Sequence, residues 1–263
     1  MNISLKGKNA IVCGSTQGIG KAVALELASN GASVILIARN EQSLQKTKDE
    51  LTASPDQRHY CITADFSSPE SLKTSVENFL KETKLSVHIL VNNTGGPPAG
   101  PVLTAKSEEF IQAFTNHLLC NHVLVNAVTE GMKKAGYGRI INIVSTSVKQ
   151  PIKGLGVSNT IRGAVASWAK TLASELAPFA ITVNNILPGA TSTGRLNSLL
   201  DAKAQKLGIS IEKESKEWIR EIPLGRFAQP DEIANAVAFL ASPAANYITG
   251  VSLQVDGGRT SSL

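Results

Sequence analysis

Aromatic residues are scarce in this chain. Seven Phe, two Trp and three Tyr make up 5% of its 263 positions, so the core has to be built from Ala, Val, Ile and Leu. Cysteine is nearly absent as well. Cys13, Cys61 and Cys120 are odd in number, far apart and without a Cys-x-x-Cys pair, which argues against a disulfide framework or a cysteine zinc site. Long apolar runs are missing. Stretches such as Val34 to Ala38 fall far short of the roughly 20 residues needed to cross a bilayer. Charge of one sign is never concentrated: 26 basic against 21 acidic residues leave +5, scattered along the chain. Without a run of five or six like charges, neither nucleic acid nor a membrane surface is an expected partner. The first residues show no secretory apolar segment, so a cytoplasmic location is expected.

What is present is an alternation of short β-branched runs with longer helical periods. Strands are expected at Asn9–Cys13, Ser33–Ala38, His59–Ala64, Ile89–Asn92, Arg139–Val144, Thr182–Leu187 and Ser252–Val255. Several are almost wholly apolar, as strands covered on both faces are. Helices are expected at Ile19–Asn30, Glu41–Leu51, Pro69–Lys84, Glu108–Ala135, Arg162–Ala177 and Pro230–Leu240. Strand–helix–strand repetition with right-handed crossovers implies an α/β fold, a Rossmann-type doubly wound parallel sheet with helices on both faces. No linker divides it, so one domain is expected over residues 1–263. One region breaks the rhythm. Between Gly189 and Pro223 lie two helical stretches, Leu196–Leu207 and Ile211–Glu221, with Gly208 as a stop. This insertion, about 190–222, reads as a helical substrate lid, since long insertions in compact domains usually serve function.

The first strand runs directly into Gly14-Ser15-Thr16-Gln17-Gly18-Ile19-Gly20, and a helix follows. Gly14 permits a tight turn, Gly18 lets the backbone approach a pyrophosphate, and Gly20 lets helix and strand pack closely. The helix start adds free N–H groups and partial positive charge. A dinucleotide site is expected. Where a site for NAD carries a carboxylate at the end of the second strand, this chain carries Ala38 and Arg39. A guanidinium there suits a 2′-phosphate, so NADP(H) is expected over NAD(H). Asp65, at the end of the third strand, is read either as an acceptor for the adenine amine or as a cap for the next helix.

With Gly14, Gly18 and Gly20, then Asn92-Asn93-Thr94-Gly95, the chain resembles the short-chain dehydrogenases/reductases. The likeness continues through Gly138-Arg139-Ile140-Ile141-Asn142-Ile143, Ser145, Pro188-Gly189, Ile222-Pro223-Leu224-Gly225-Arg226 and Val255-Asp256-Gly257-Gly258. Its pattern is most like the 3-oxoacyl-carrier-protein reductases of that family. The resemblance implies that Asn92 braces the sheet, that Pro188-Gly189 lies along the nicotinamide and that Thr193 contacts its carboxamide. Together with the glycine loop, the expected cofactor contacts are Gly14 to Gly20, Arg39, Asp65, Phe66, Asn93, Thr94, Gly95, Arg162, Pro188, Gly189, Thr191 and Thr193. Ser15, Thr16, Gln17 and Ile19 belong to that set as members of the loop.

The family's chemistry uses a serine, a tyrosine thirteen residues on, and a lysine four beyond it. The lysine lowers a phenol pKa that starts at about 10. Here Ser145 holds the first place, Ser158 stands at the tyrosine position and Arg162 at the lysine position. A serine hydroxyl does not titrate near neutrality, and an arginine does not release its proton. Ser158 can still hold a substrate oxygen, and Arg162 can bond ribose and stabilise negative charge. His117, on or next to the family's helix-borne asparagine position, is the candidate proton carrier, with Asn116 beside it and water as the alternative. The expected catalytic set is therefore Ser145, Ser158, Arg162 and His117. The Gly95-Gly96-Pro97-Pro98-Ala99-Gly100-Pro101 loop is expected at the substrate rim. Six basic and five acidic residues in the lid balance, and so do not announce an anionic substrate.

Two classes of function follow. The first is an NADP(H)-dependent oxidoreductase acting on a small carbonyl or alcohol. The second is a catalytically silent NADP(H)-binding sensor or assembly protein. A dehydratase or isomerase of this fold has no positive residue signal. The alanine-rich apolar face of Arg162–Ala177 is expected to meet a second subunit, in a homo-oligomer that the resemblance makes a tetramer.

Overall fold

A computed structural model describes residues 1–262. Seven strands form one parallel sheet: β1 (Asn9–Cys13), β2 (Ser33–Ala38), β3 (Tyr60–Thr63), β4 (Ile89–Asn92), β5 (Gly138–Ile143), β6 (Ile181–Pro188) and β7 (Ser252–Val255). Their order across the sheet is β3-β2-β1-β4-β5-β6-β7. The chain starts in the middle with β1, winds outward to β3, then returns to β4 on the other side of β1. Carboxyl ends of adjacent strands thus diverge between β1 and β4, where open parallel sheets bind ligands.

Period-two alternation of apolar residues builds the two layers that cover the sheet. Val12, Val34, Leu36, Val91 and Ile141 point to one side, against Val23, Ala24 and Leu27 of α1 (Gly18–Ser29). On the same side lie Ile233, Val237 and Ala241 of the helix 230–241 near the end of the chain. Ile11, Ile35, Ile37, Leu90 and Ile140 point to the opposite side. There they meet Leu72 and Val76 of the helix 69–83, Leu124 and Val128 of the helix 120–135, and Ala169 and Ala173 of the helix 156–176. Small alanines in these helices let them lie close on a sheet of branched residues, which is how the core closes with so few aromatics.

In the order of the chain, the remaining helices are α2 (Glu41–Asp49), α3 (Pro69–Thr83), α4 (Ser107–Phe114), α5 (Cys120–Ala135), α6 (Gly156–Leu176), α7 (Gly194–Leu207), α8 (Ile211–Arg220) and α9 (Pro230–Ala241). Two of these differ from the sequence reading. The stretch expected as one helix over 108–135 is broken by a π-helical turn, Thr115–Leu119, between α4 and α5. The helix expected from Arg162 begins six residues earlier, at Gly156. Gly156 can begin it there because it has no side chain: a Cβ would stand 2.5 Å from the Val102 backbone. Reciprocal bonds between Gly100 and the backbone at Gly154 and Gly156 (2.7 and 2.9 Å) pin this start to the 95–101 loop.

The apolar face of α6 does not await a second subunit. Val165, Ala169, Ala173 and Leu176 are buried within the chain's own core, with Trp168 and Leu172 packed beside them. The residues α6 leaves exposed are polar: Thr160, Ser167, Lys170, Thr171, Ser174 and Glu175. The period that suggested an interface is the core stripe of an amphipathic helix. No helix among the described residues is long and apolar enough to cross a membrane.

A row of buried amides crosses the second half of the sheet. Asn92 on β4 donates to Asn142 on β5 (2.9 Å), Asn142 donates to Asn185 on β6 (3.0 Å), and Asn185 donates to Ser252 on β7 (3.2 Å). Polar groups inside a sheet core stabilise it only when paired. Removing the middle rung strands an amide N–H on Asn92 and an oxygen on Asn185. Asn142→Ala is expected to cost about 2–4 kcal/mol of folding free energy from those two orphaned groups, read as a lower urea midpoint. A change under about 0.5 kcal/mol, the range of a neutral surface substitution, would mean that the row carries no stability.

Candidate functional site

The carboxyl ends of six strands open into one cavity of about 660 Å³, well within the usual size of small-molecule and cofactor sites. Its floor at β1 is the glycine loop. Gly14 and Gly18 adopt φ of +58° and +53°, a left-handed backbone that suits glycine. Gly20 is held to glycine by contact instead: a Cβ there would lie 2.1 Å from the Gly14 carbonyl oxygen and 2.7 Å from the Asn93 amide nitrogen. Asn93, just past β4, donates its amide to the carbonyls of Cys13 (3.1 Å) and Gly14 (3.4 Å). The loop is therefore shaped around its own backbone and the end of β4, and its outer side faces the cavity at Gly14, Thr16, Gln17, Gly18 and Ile19.

Two members of the expected loop set are corrected. Ser15 does not face the cavity. It is fully buried, and its hydroxyl donates to the Ile37 carbonyl (3.4 Å) beneath the end of β2. Gly20 packs below the loop as described and does not line the cavity.

At the β2 and β3 ends the cavity is bordered by Arg39, Asp65 and Phe66. Arg39 is exposed, and among the described residues no carboxylate pairs with it. Asp65 accepts from the Ser67 N–H (2.9 Å) through one oxygen, which leaves the other open; the helix cap proper is Ser68. The Ser67 bond closes a turn ahead of the helix, so Asp65 does not itself cap α3. A narrow glycine cradle, a helix start behind it and an unpaired guanidinium at the rim fit a dinucleotide carrying a 2′-phosphate.

The other half of the cavity gathers Thr94, Gly95, Ser145, Ser158, Arg162, Pro188, Gly189, Thr191 and Thr193. Gly189 is packed so closely on the terminal segment that a Cβ would stand 2.7 Å from the Asp256 backbone. Thr193 caps α7 by accepting from the Leu196 N–H (3.3 Å), and its methyl group lies against Gly18. Ser145 follows β5 and accepts from the Ser147 N–H (3.1 Å), so its own proton remains available. Ser158 and Arg162 sit four residues apart in the first turns of α6, on one face. Ser158 is only 8% exposed and makes no hydrogen bond among the described residues, so its hydroxyl is free toward the cavity. Arg162, 9% exposed, donates to the Ile143 carbonyl at the end of β5 (2.8 Å). Burial, and secondly the charge of Arg195, lower its pKa to about 10. It remains a cation at neutral pH.

His117 is the clearest correction among the catalytic candidates. The π-helical turn carries an extra residue per turn and changes which side chains face the sheet. Asn116 then lines the cavity, while His117 turns inward, 2% exposed, with its Nδ1 hydrogen-bonded to the Thr94 hydroxyl. Burial above all, then the charges of Arg162 and Arg195, push its pKa down to about 2. A permanently neutral imidazole away from the cavity cannot deliver a proton there. No tyrosine, histidine, lysine or cysteine lines the cavity among the described residues. Tyr137 donates its hydroxyl to the Ala241 carbonyl (2.6 Å), and Tyr247 is exposed on the surface.

Among the lining residues that were not expected at the site are Arg195 on α7, Trp218 on α8 and Arg259 near the end of the chain. Arg259 pairs with Glu221 (2.5 Å) and lies near the Trp218 ring, so its charge is met. Arg195 donates to the Pro97 carbonyl and rests against Gly96. Nothing in the sequence revealed which way Arg195 points.

Residues 14–260 match the family model described as Enoyl-(Acyl carrier protein) reductase. The chain is 35% identical over 256 residues to the 3-oxoacyl-[acyl-carrier-protein] reductase FabG of Vibrio cholerae, covering 97% of this chain and 98% of that one. It is 29% identical to the NADPH-dependent reductase BacG of Bacillus subtilis, over 97% and 99% of the two chains. Among solved structures, L-sorbose reductase of Gluconobacter frateurii, complexed with NADPH and L-sorbose, is similar along the full length of both chains, with a TM-score of 0.93 and 29% identity.

Because the His117 ring is held neutral in the fold but titrates at about 6.5 in an unfolded chain, acid favours unfolding. The stability it affects is intact above pH 6.5 and is lost as pH falls toward 2, at up to about 1.4 kcal/mol per pH unit. His117→Gln is expected to remove that share of the slope. Urea unfolding of both proteins between pH 6.5 and 4 measures it, and parallel stability curves would overturn the neutral, buried assignment.

Proposed function

The chain belongs to the short-chain dehydrogenase/reductase family, and on that premise we propose that it is an NADP(H)-dependent oxidoreductase acting on a small carbonyl or alcohol. The observation that carries the cofactor choice is Arg39, an exposed guanidinium without a carboxylate partner at the rim of the glycine cradle. FabG, BacG and L-sorbose reductase, by their names or the NADPH bound with them, supply the reductase class and the cofactor precedent.

When bound, the nicotinamide supplies or takes up the hydride. The residues of the chain do the rest. Ser145 and Ser158 offer two hydroxyl protons to the carbonyl oxygen. Arg162, buried below Ser158 on the same helix face, stabilises the negative charge that grows on that oxygen as the C–O double bond becomes single. In this assignment water brings the proton, since the cavity offers no tyrosine, histidine or lysine. Losing a general acid costs about 10²–10⁴ in rate, which slows such a reaction without stopping it. The helices α7 and α8 act as the lid over the substrate end.

That same lack of a proton-carrying side chain favours a second reading, a catalytically silent NADP(H)-binding sensor or assembly protein. The family premise also carries a homo-oligomer, a tetramer. The exposed apolar side chains Val102, Leu103, Ile111, Phe114 and Leu119, on and around α4, are its interface in place of α6.

Titration with NADPH and NADH separately is the first test. NADPH is expected to bind tighter, and Arg39→Ser to weaken it by about 10- to 100-fold, the range for a charge-assisted phosphate contact, while NADH is unaffected. Equal affinity for the two nucleotides would sink the Arg39 assignment. Turnover separates the two readings. With a panel of neutral ketones and oxo acids, NADPH oxidation is expected to fall in Ser158→Ala and nearly vanish in Arg162→Ala, and kcat/KM of the wild type is expected to stay flat from pH 6 to 8. A bell centred near neutrality would mean that a side chain carries the proton after all, and no turnover alongside tight NADPH binding would favour the silent reading.

A further inference from the structure

The cavity is strongly one-sided in charge. Arg39, Arg162, Arg195 and Arg259 line it, and Asp65 is the one carboxylate there among the described residues. Arg259 is matched by Glu221, Asp65 lies at the β3 end, and Arg39 stands beside the cradle for a 2′-phosphate. Two guanidiniums at the substrate end therefore remain without a counter-ion. They are close enough for the charge of Arg195 to lower the pKa of Arg162, and for both charges to lower that of His117 beneath Thr94.

The balance of charges over the lid as a whole hides this, because the lid's other charges are engaged or turned outward. Lys203 of α7 pairs with the buried Glu214 of α8, which also accepts from the Trp218 indole (2.6 Å). Arg220 pairs with Glu217, and Glu221 with Arg259. Of the lid's six basic side chains, Arg195 is the one that lines the cavity. It lies against the Gly96-Pro97 segment of the 95–101 loop. One of its five N–H groups donates to Pro97, which fixes the side chain; no other hydrogen bond of this exposed guanidinium is made among the described residues.

We propose that Arg195 is the receiving group for a carboxylate on the substrate, so that the enzyme acts on oxo acids or hydroxy acids and not on neutral ketones. The inference rests on the oxidoreductase reading above and names its substrate class. A guanidinium without a carboxylate partner matches one carboxylate in charge and in its two-pronged geometry. The planar fork anchored by Pro97 holds the acid end at the rim, and the carbonyl is left to reach Ser145 and Ser158. Arg162 is not free for the acid: it is buried and donates to the Ile143 carbonyl at the end of β5, and its charge is assigned above to the carbonyl oxygen.

The test is a calorimetric titration of the full chain, saturated with NADP⁺, using three unreactive acids (benzoate, 3-phenylpropanoate and hexanoate) against their uncharged amides. The acids are expected to bind about 10- to 100-fold tighter than the amides, the scale of one charge-assisted pair. Arg195→Gln is expected to erase that preference while leaving NADP⁺ affinity within about threefold, and Arg195→Lys to retain part of it. Retained NADP⁺ binding also shows that the variants fold. Equal binding of acids and amides to the wild type would overturn the proposal. So would a tenfold loss of NADP⁺ affinity in Arg195→Gln, which would make Arg195 a cofactor contact. Failure of the oxidoreductase reading is seen separately, as absent NADP⁺ heat or absent turnover, and an acid preference measured on the nucleotide-free chain then still decides the anion site.

Discussion

Between the Gly14 carbonyl and the Cα of Gly20 there is no room for even a methyl group, since a Cβ would stand 2.1 Å from the oxygen. The Asn93 amide fills what space is left, bonded to the carbonyls of Cys13 and Gly14. That junction joins the end of β1, the start of α1 and the end of β4 at the point where the strand order reverses. Because it is made from backbone and one side-chain amide, it holds the glycine loop and the loop after β4 in fixed register. Each further element of the cavity is placed relative to it. Thr193 rests its methyl on Gly18, and the Gly96-Pro97 loop beyond Asn93 and Thr94 receives Arg195.

On that frame the chain builds a cavity lined by positive charge, with no tyrosine, histidine or lysine among the described residues that line it. Arg162 is buried without a carboxylate partner, an arrangement that costs desolvation unless an anion or a developing negative charge is delivered to it. Its pKa of about 10 keeps it charged throughout the neutral range. His117, which would have been the natural proton carrier, is held neutral by burial and by the same two arginines that charge the cavity. The two features belong together. A guanidinium at the position four residues after Ser158 raises the positive potential around it, and a nearby imidazolium would only add to the repulsion.

Most of the fold was legible in the sequence because it rests on signals that are local and strong. All seven strands appear within two residues of their apolar runs, and the glycine loop declares itself by spacing and context. The lid helices were legible through their periodicity and the stop at Gly208, which adopts φ of +64°. What escaped was set by tertiary contact. Ser158, Asn159 and Thr160 are weak helix formers, so the sequence offers no reason to start α6 before Arg162; the absent side chain of Gly156 beneath Val102 supplies one. The π-helical turn leaves no mark in the apolar period, yet it decides that Asn116 faces the cavity and His117 the interior. Ser15 looked like a loop contact because its neighbours are, but its hydroxyl follows the backbone downward to Ile37.

The stripe of α6 shows how one signal serves two causes. An apolar period says that a face is buried without saying against what, and Val165, Ala169 and Ala173 are buried by β5, β6 and α5 of the same chain. Net charge has the same weakness. Six basic and five acidic side chains in the lid sum to near neutrality, but a site responds to the charges that face it and not to their sum. Glu214 is taken up by Lys203 and Trp218, and Glu221 by Arg259. These acidic groups hold α7 to α8 and the lid to the end of the chain, which removes them from the cavity's electrostatics. Arg195 is left facing inward, steadied by the Pro97 carbonyl and with no acid to answer it. The pairings that make the lid rigid are thus the same ones that leave its inner surface positive. On the proposed reading, a lid fixed in this way would select its substrate by charge at the rim before the two serines met the carbonyl.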